Sequence, residues 1–64
     1  MSIEALRWKI AKEVPYVDIK PYSHNIIGLV LGMIEKAHGR AEVIKAMKDF
    51  DLEDLGWSIP EEKS

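Results

Sequence analysis

The sequence predicts a small all-α domain of three helices with a short C-terminal helical turn, a fold that we expect dimerisation to complete. Three stretches of the 64 residues carry apolar side chains at helical spacing. Prolines and glycines stand where these stretches end. One further segment alternates bulky residues, but two prolines within it disfavour a stable strand. A single domain over residues 1–64 follows.

The first predicted helix spans residues 3–14. Ser2 can accept hydrogen bonds from unpaired backbone N–H groups of the first turn. Pro15 disfavours a helical conformation in the residue before it and so ends the helix. The apolar stripe expected to face the core contains Ile3, Leu6, Ile10 and Val14.

Trp8 lies off this stripe, roughly 150° from its centre on the helical wheel. It either folds over its own helix, where it would shield Ala11 or contact the C-terminal segment, or it anchors a partner. Tryptophan is among the residues most enriched in interface hot spots. Trp8 therefore counts among the predicted interface residues.

Residues 15–22 are predicted to form an extended linker, able to reach about 20 Å. It would either return along the first helix or carry that helix to a neighbouring subunit. We expect Val17 and Ile19 to pack inward, with Tyr16 and Tyr22 at the two ends.

The central helix is predicted at residues 24–38, with Ser23 as N-cap, Pro21 just outside and Gly39 as the closing residue. Its apolar arc covers roughly 200° of the wheel, against the roughly 100° stripe of an ordinary surface helix. Such a helix must be covered on more than one side. The arc contains Ile26, Ile27, Leu29, Val30, Leu31, Met33, Ile34 and Ala37.

The remaining narrow face of this helix carries Asn25, Gly28, Gly32 and Glu35. Each glycine costs up to about 1 kcal/mol relative to alanine inside a helix. The pair therefore predicts a close approach by another part of the chain or by a second copy, although chance spacing also explains it. A transmembrane helix is excluded, because the apolar run 26–34 is far shorter than the ~20 residues that span a bilayer.

A third helix is predicted at residues 40–50, joined to the second at Gly39, so the two are neighbours in space. A brief turn at 52–55 follows, with Asp51 as its cap and Gly56 at its end. Leu52, Leu55 and Trp57 either close the core or form a docking strip. Residues 60–64 are expected to be a solvated tail.

Composition excludes several classes of protein. The net charge of −2 provides no field that would attract nucleic acid or anionic lipid. Without cysteine there are no disulfides or thiolate metal sites. His24 and His38 lie about 21 Å apart along one helix, too far to share a metal. We expect no metal and no cofactor. The N-terminus lacks the features of a secretory signal, which favours a cytoplasmic location.

Polar side chains gather at the start of the central helix. Lys20, Ser23, His24 and Asn25 lie at the positive end of the helix dipole, where a carboxylate or phosphate can bind. The alternative is that Ser23 and Asn25 only cap and solvate the helix. No serine, histidine and carboxylate have the spacing of a nucleophile and its base, so we do not expect an enzyme.

The predicted function is that of a small cytosolic protein-interaction or regulatory module. With 47% hydrophobic residues, so short a chain holds more apolar surface than a monomer readily hides, and a homodimer would cover it. The predicted partner interface contains Trp8, Gly28, Leu31, Gly32 and Trp57.

The alternative function is a helix-turn-helix DNA-binding regulator that uses the helix pair at 24–50. In that case Arg40, Lys45 and Lys48 would face phosphates. Glu42 and the acidic residues after Lys48 weigh against it, because they repel the DNA backbone.

Overall fold

A computed structural model of the chain describes residues 2–59. Its elements are helix α1 at Ile3–Glu13, a 3₁₀ turn at Val14–Tyr16, helix α2 at Pro21–His38, helix α3 at Arg40–Asp49 and a second 3₁₀ turn at Leu52–Leu55. No strand occurs within residues 2–59. The predicted small all-α fold is confirmed, while the tail at 60–64 lies outside the described residues.

Helix α1 begins as its cap predicts, because the Ser2 hydroxyl accepts a hydrogen bond from the Ala5 N–H at 3.2 Å. The predicted extended linker is wrong. Backbone hydrogen bonds from Val17 to Val14 and from Lys20 to Tyr16 coil this segment into successive turns. Val17 packs against the core as expected, but Ile19 is 72% exposed, which corrects its predicted inward position.

Helix α2 starts at Pro21, three residues earlier than predicted. Proline is well suited to the first helical position, where it has no N–H to leave unpaired and its φ is already helical. Lys20 is the N-cap residue, so the prediction of Ser23 as N-cap is wrong. Ser23 instead lies within the first turn and is completely buried.

Two glycines with positive φ end helical segments. Gly39 (φ 94°) is the single residue between α2 and α3, and its N–H donates to the Glu35 carbonyl. Gly56 (φ 109°) ends the turn at Leu52–Leu55, which has the predicted bounds. Asp51 precedes that turn in a left-handed conformation and makes no side-chain cap, contrary to its predicted role.

The core lies between α2 and the helices on either side of it in sequence. Leu31 is 6% exposed and belongs to this core, which corrects its predicted place in a partner interface. The turn after α3 contributes one fully buried residue, Leu52. The clustered core residues are Leu6, Ile10, Ile27, Val30, Leu31, Ile34, Val43, Ala46, Met47 and Leu52.

Candidate functional site

One apolar surface of α2 is left uncovered by the rest of the described chain. We call it the outer face and define it by Gly28, Leu29, Gly32 and Met33. Leu29 is 69% exposed and Met33 37% exposed. Together with Lys36 these residues line an open groove of about 370 Å³. An exposed contiguous apolar surface of this kind is typical of an interaction site.

The two glycines of the outer face are open to solvent. A Cβ placed on either Gly28 or Gly32 would meet no other residue of the described range within 4 Å. The predicted approach by another part of this chain is therefore absent from residues 2–59. Two packing partners were predicted for the glycines, another part of the chain and a second molecule. Since the described chain supplies no such partner, the second molecule remains.

The outer face exists because α1 and α3 cover only one side of α2. Ile27 and Ile34 are fully buried and lie on the covered side. Leu29 and Met33 lie more than 100° away from the centre of that side, at roughly 100° per residue. The predicted wide apolar arc is thus half covered by the chain itself.

Trp8 is a second exposed apolar site, on α1. Its side chain is 64% exposed, as expected from its position off the apolar stripe. Lys12 Nζ lies 5.1 Å from the centroid of its ring, a cation–π contact within one helix. Ala11 is also exposed, so Trp8 does not shield it.

Trp57, also predicted to contact a partner, is half-buried and contacts its own chain. Its ring stacks on His24 with centroids 3.8 Å apart and planes 12° apart. This stack joins the segment after the last turn to the start of α2. One face of the Trp57 ring is therefore covered within the monomer, and the predicted lid on the core describes it better than a docking strip.

The four residues of the predicted anion site do not form one site. The Ser23 hydroxyl donates to Glu13 Oε1 at 2.9 Å, so a carboxylate of the chain itself already lies beside the first turn of α2. His24 stacks on Trp57, and Lys20 Nζ lies 4.7 Å from the Tyr16 ring centroid. Asn25 is exposed. Consecutive helical residues point about 100° apart, which separates these side chains.

Two hydrogen bonds between side chains were missed by the sequence reasoning. Arg7 Nη2 donates to Asp49 Oδ2 at 2.6 Å, and its guanidinium lies 5.2 Å from the Phe50 ring centroid. Glu13 accepts the hydrogen bond from Ser23. Arg7 and Asp49 are 42 residues apart, so no local pattern points to their pairing.

The helices α2 and α3 do not have the spacing of a typical helix-turn-helix. Gly39 alone joins them, whereas the motif has a turn of about 3–4 residues. Arg40, Lys45 and Lys48 are exposed, and the half-buried Glu42 lies among them in sequence. These positions give the DNA-binding hypothesis no specific support.

Residues 2–59 contain no group of three or more histidine or acidic side chains placed to hold a metal ion. Within the same range, no helix combines the length and the apolar character needed to cross a bilayer.

Comparisons with known proteins assign no family to the chain. No protein family, curated protein or solved structure matches it. Its function is therefore inferred from its surfaces.

Proposed function

We propose that this chain is a small non-catalytic protein-interaction module of the cytosol that acts as a homodimer through the outer face of α2. The observation that carries the proposal is the exposure of Leu29 and Met33 around two glycines that nothing in the described chain approaches. Burial of apolar surface contributes about 25 cal/mol per Å², so leaving this groove in water forgoes stabilisation.

Chain length supports self-association. A domain of 64 residues buries a smaller fraction of its surface than a larger one, and its stability is correspondingly marginal. Small domains compensate with disulfides, metals or oligomerisation. The chain has no cysteine, and residues 2–59 hold no metal-binding cluster. A second copy is the stabilising partner that needs no further component.

Trp8 has a separate part in the proposal. Its exposed ring on α1 is the anchor for a different protein, which would leave the outer face of α2 to the second copy.

Sedimentation over a range of concentrations tests the homodimer. We expect the wild type to pass from monomer to dimer as concentration rises, and Leu29→Glu to remain monomeric because it places a charge in the groove. Ile19→Glu is the matched control, because Ile19 is 72% exposed but lies outside the outer face. This control should dimerise like the wild type.

A wild type that stays monomeric at millimolar concentration would overturn the proposal. Loss of the dimer in Trp8→Ala but not in Leu29→Glu would also overturn it, because the self-association would then belong to α1. Circular dichroism of each variant confirms that the helices are retained.

A further inference from the structure

The outer face of α2 has two unlike flanks. On the helical wheel Gly28 and Gly32 lie on one flank, and Leu29 and Met33 lie on the other, with about 100° between consecutive residues. Each large side chain directly follows a glycine in sequence. The space beside each glycine and the large side chain that follows it are therefore only about 1.5 Å apart along the helix axis.

Two charged residues, Glu35 and Lys36, repeat this arrangement about one turn after Gly32 and Met33. Glu35 lies on the glycine flank, and Lys36 lies about 20° from Leu29 on the wheel and lines the groove with it, again as consecutive residues. Both are exposed. Neither forms an ion pair with another residue in the range 2–59. Each charge is thus free to meet an opposite charge on a partner.

We propose that the second copy packs on the outer face with its α2 parallel, about a two-fold axis that runs along the two helices. This inference rests on the proposed homodimer and names its geometry. Such an axis brings the glycine flank of one copy against the large-residue flank of the other. Leu29 then lies over the partner's Gly28, Met33 over the partner's Gly32, and Lys36 beside the partner's Glu35.

The register is what makes the two copies complementary. All three contacts join a residue of one copy to the residue one position earlier in the other, so a single packing satisfies them together. Shape fits, because the glycines leave room that nothing in the described chain fills. Charge fits, because both halves of the symmetric interface gain a Lys36–Glu35 pair.

An antiparallel pair lacks this complementarity. A two-fold axis perpendicular to the helices brings like flanks together, so glycines meet glycines and large side chains meet large side chains. The same axis moves Glu35 to the far end of the interface from the partner's Lys36. Only the parallel arrangement therefore brings Glu35 of one copy beside Lys36 of the other.

Charge reversal tests the register. Glu35→Lys and Lys36→Glu each place like charges together in a parallel homodimer, and each should weaken dimerisation at least about threefold at low salt. An equimolar mixture of the two variants should restore wild-type affinity as a heterodimer, because every cross-subunit pair is again opposite in sign. If neither variant changes the dissociation constant while the wild type dimerises, the parallel register is wrong.

Cysteine cross-linking tests the orientation. Asn25 lies between the two flanks, and the native chain has no cysteine to interfere. Asn25→Cys alone should form a disulfide-linked dimer under mild oxidation, because the parallel arrangement places the two copies of this residue opposite each other. Ile19→Cys, outside the face, is the control and should not cross-link.

The results separate this inference from the proposed function. A dimer in which Asn25→Cys cross-links only when mixed with Lys36→Cys is antiparallel, which overturns the parallel geometry and leaves the homodimer standing. The parallel geometry is also overturned if the protein dimerises but Asn25→Cys cross-links neither alone nor when mixed with Lys36→Cys. A wild type that sediments as a monomer at every concentration contradicts the homodimer itself.

Discussion

The two sides of α2 are built from similar residues and have opposite surroundings. The inner side carries Ile27 and Ile34, each fully buried between the neighbouring helices. The outer face carries Leu29 and Met33, which are as apolar but remain exposed. The apolar character of a helix position therefore does not decide whether it is buried in the monomer. The positions of α1 and α3 decide it.

The glycines sharpen this difference. On a side buried within the monomer, a glycine would usually mark a close approach of another helix. On α2 both interior glycines lie on the side that no other part of residues 2–59 approaches. The outer face combines the cost of glycine in a helix with the cost of exposed apolar side chains. Both costs are explained if a second molecule covers that face.

The largest expected difference between the two sides comes from removing one large side chain from each. Ile27→Ala should lower the free energy of unfolding by about 2–5 kcal/mol, because it leaves a cavity in the core. Leu29→Ala should change it by less than about 0.5 kcal/mol in the monomer. Urea unfolding of both variants, at concentrations too low for association, measures the contrast. Similar losses for the two would show that Leu29 is packed in the monomer.

The buried polar residue of the inner side gives a smaller effect. Ser23→Ala removes the donor to the partly buried Glu13 carboxylate, and should lower the free energy of unfolding by about 1–3 kcal/mol. Asn25→Ala, two residues away and exposed, is the control and should have little effect. Chemical denaturation compares them. Equal stability of Ser23→Ala and the wild type would show that the hydrogen bond contributes nothing.

The smallest expected effects come from the glycines, and they have opposite signs. Gly28→Ala should stabilise the monomer by up to about 1 kcal/mol, because alanine favours the helix and its Cβ would meet no other described residue within 4 Å. Gly39→Ala should destabilise it by about 1–2 kcal/mol, because φ there is 94°. Thermal unfolding at low concentration measures both. A loss of monomer stability in Gly28→Ala would mean that the monomer itself needs that glycine.

Local signals predicted the helical architecture well. The Ser2 cap, the Gly39 joint and the turn at Leu52–Leu55 are each specified by a few neighbouring residues. The start of α2 was mispredicted because Pro21 was placed outside the helix. Proline is equally suited to the first helical position, and no residue before it distinguishes the two alternatives. The predicted extended course before α2 failed for another reason, the backbone hydrogen bonds from Val17 to Val14 and from Lys20 to Tyr16.

Contacts between side chains were harder to predict from the sequence than the helices. The helical wheel of α2 places Ser23 between Ile27 and Val30, so its burial could have been inferred from periodicity once the helix start was known. The acceptor on Glu13 depends on how α1 packs beside α2. The stack of His24 on Trp57 joins residues 33 positions apart, a contact that no local pattern encodes.

Amide chemical shifts followed by NMR during dilution test the central claim most directly, because each amide reports on its own surroundings. We predict that dilution from millimolar concentration shifts the amides of Gly28, Leu29, Gly32 and Met33, while those of Ile19 and of α3 change little. Spectra without any concentration dependence, or shifts confined to the surroundings of Trp8, would contradict the claim that a second copy covers the outer face.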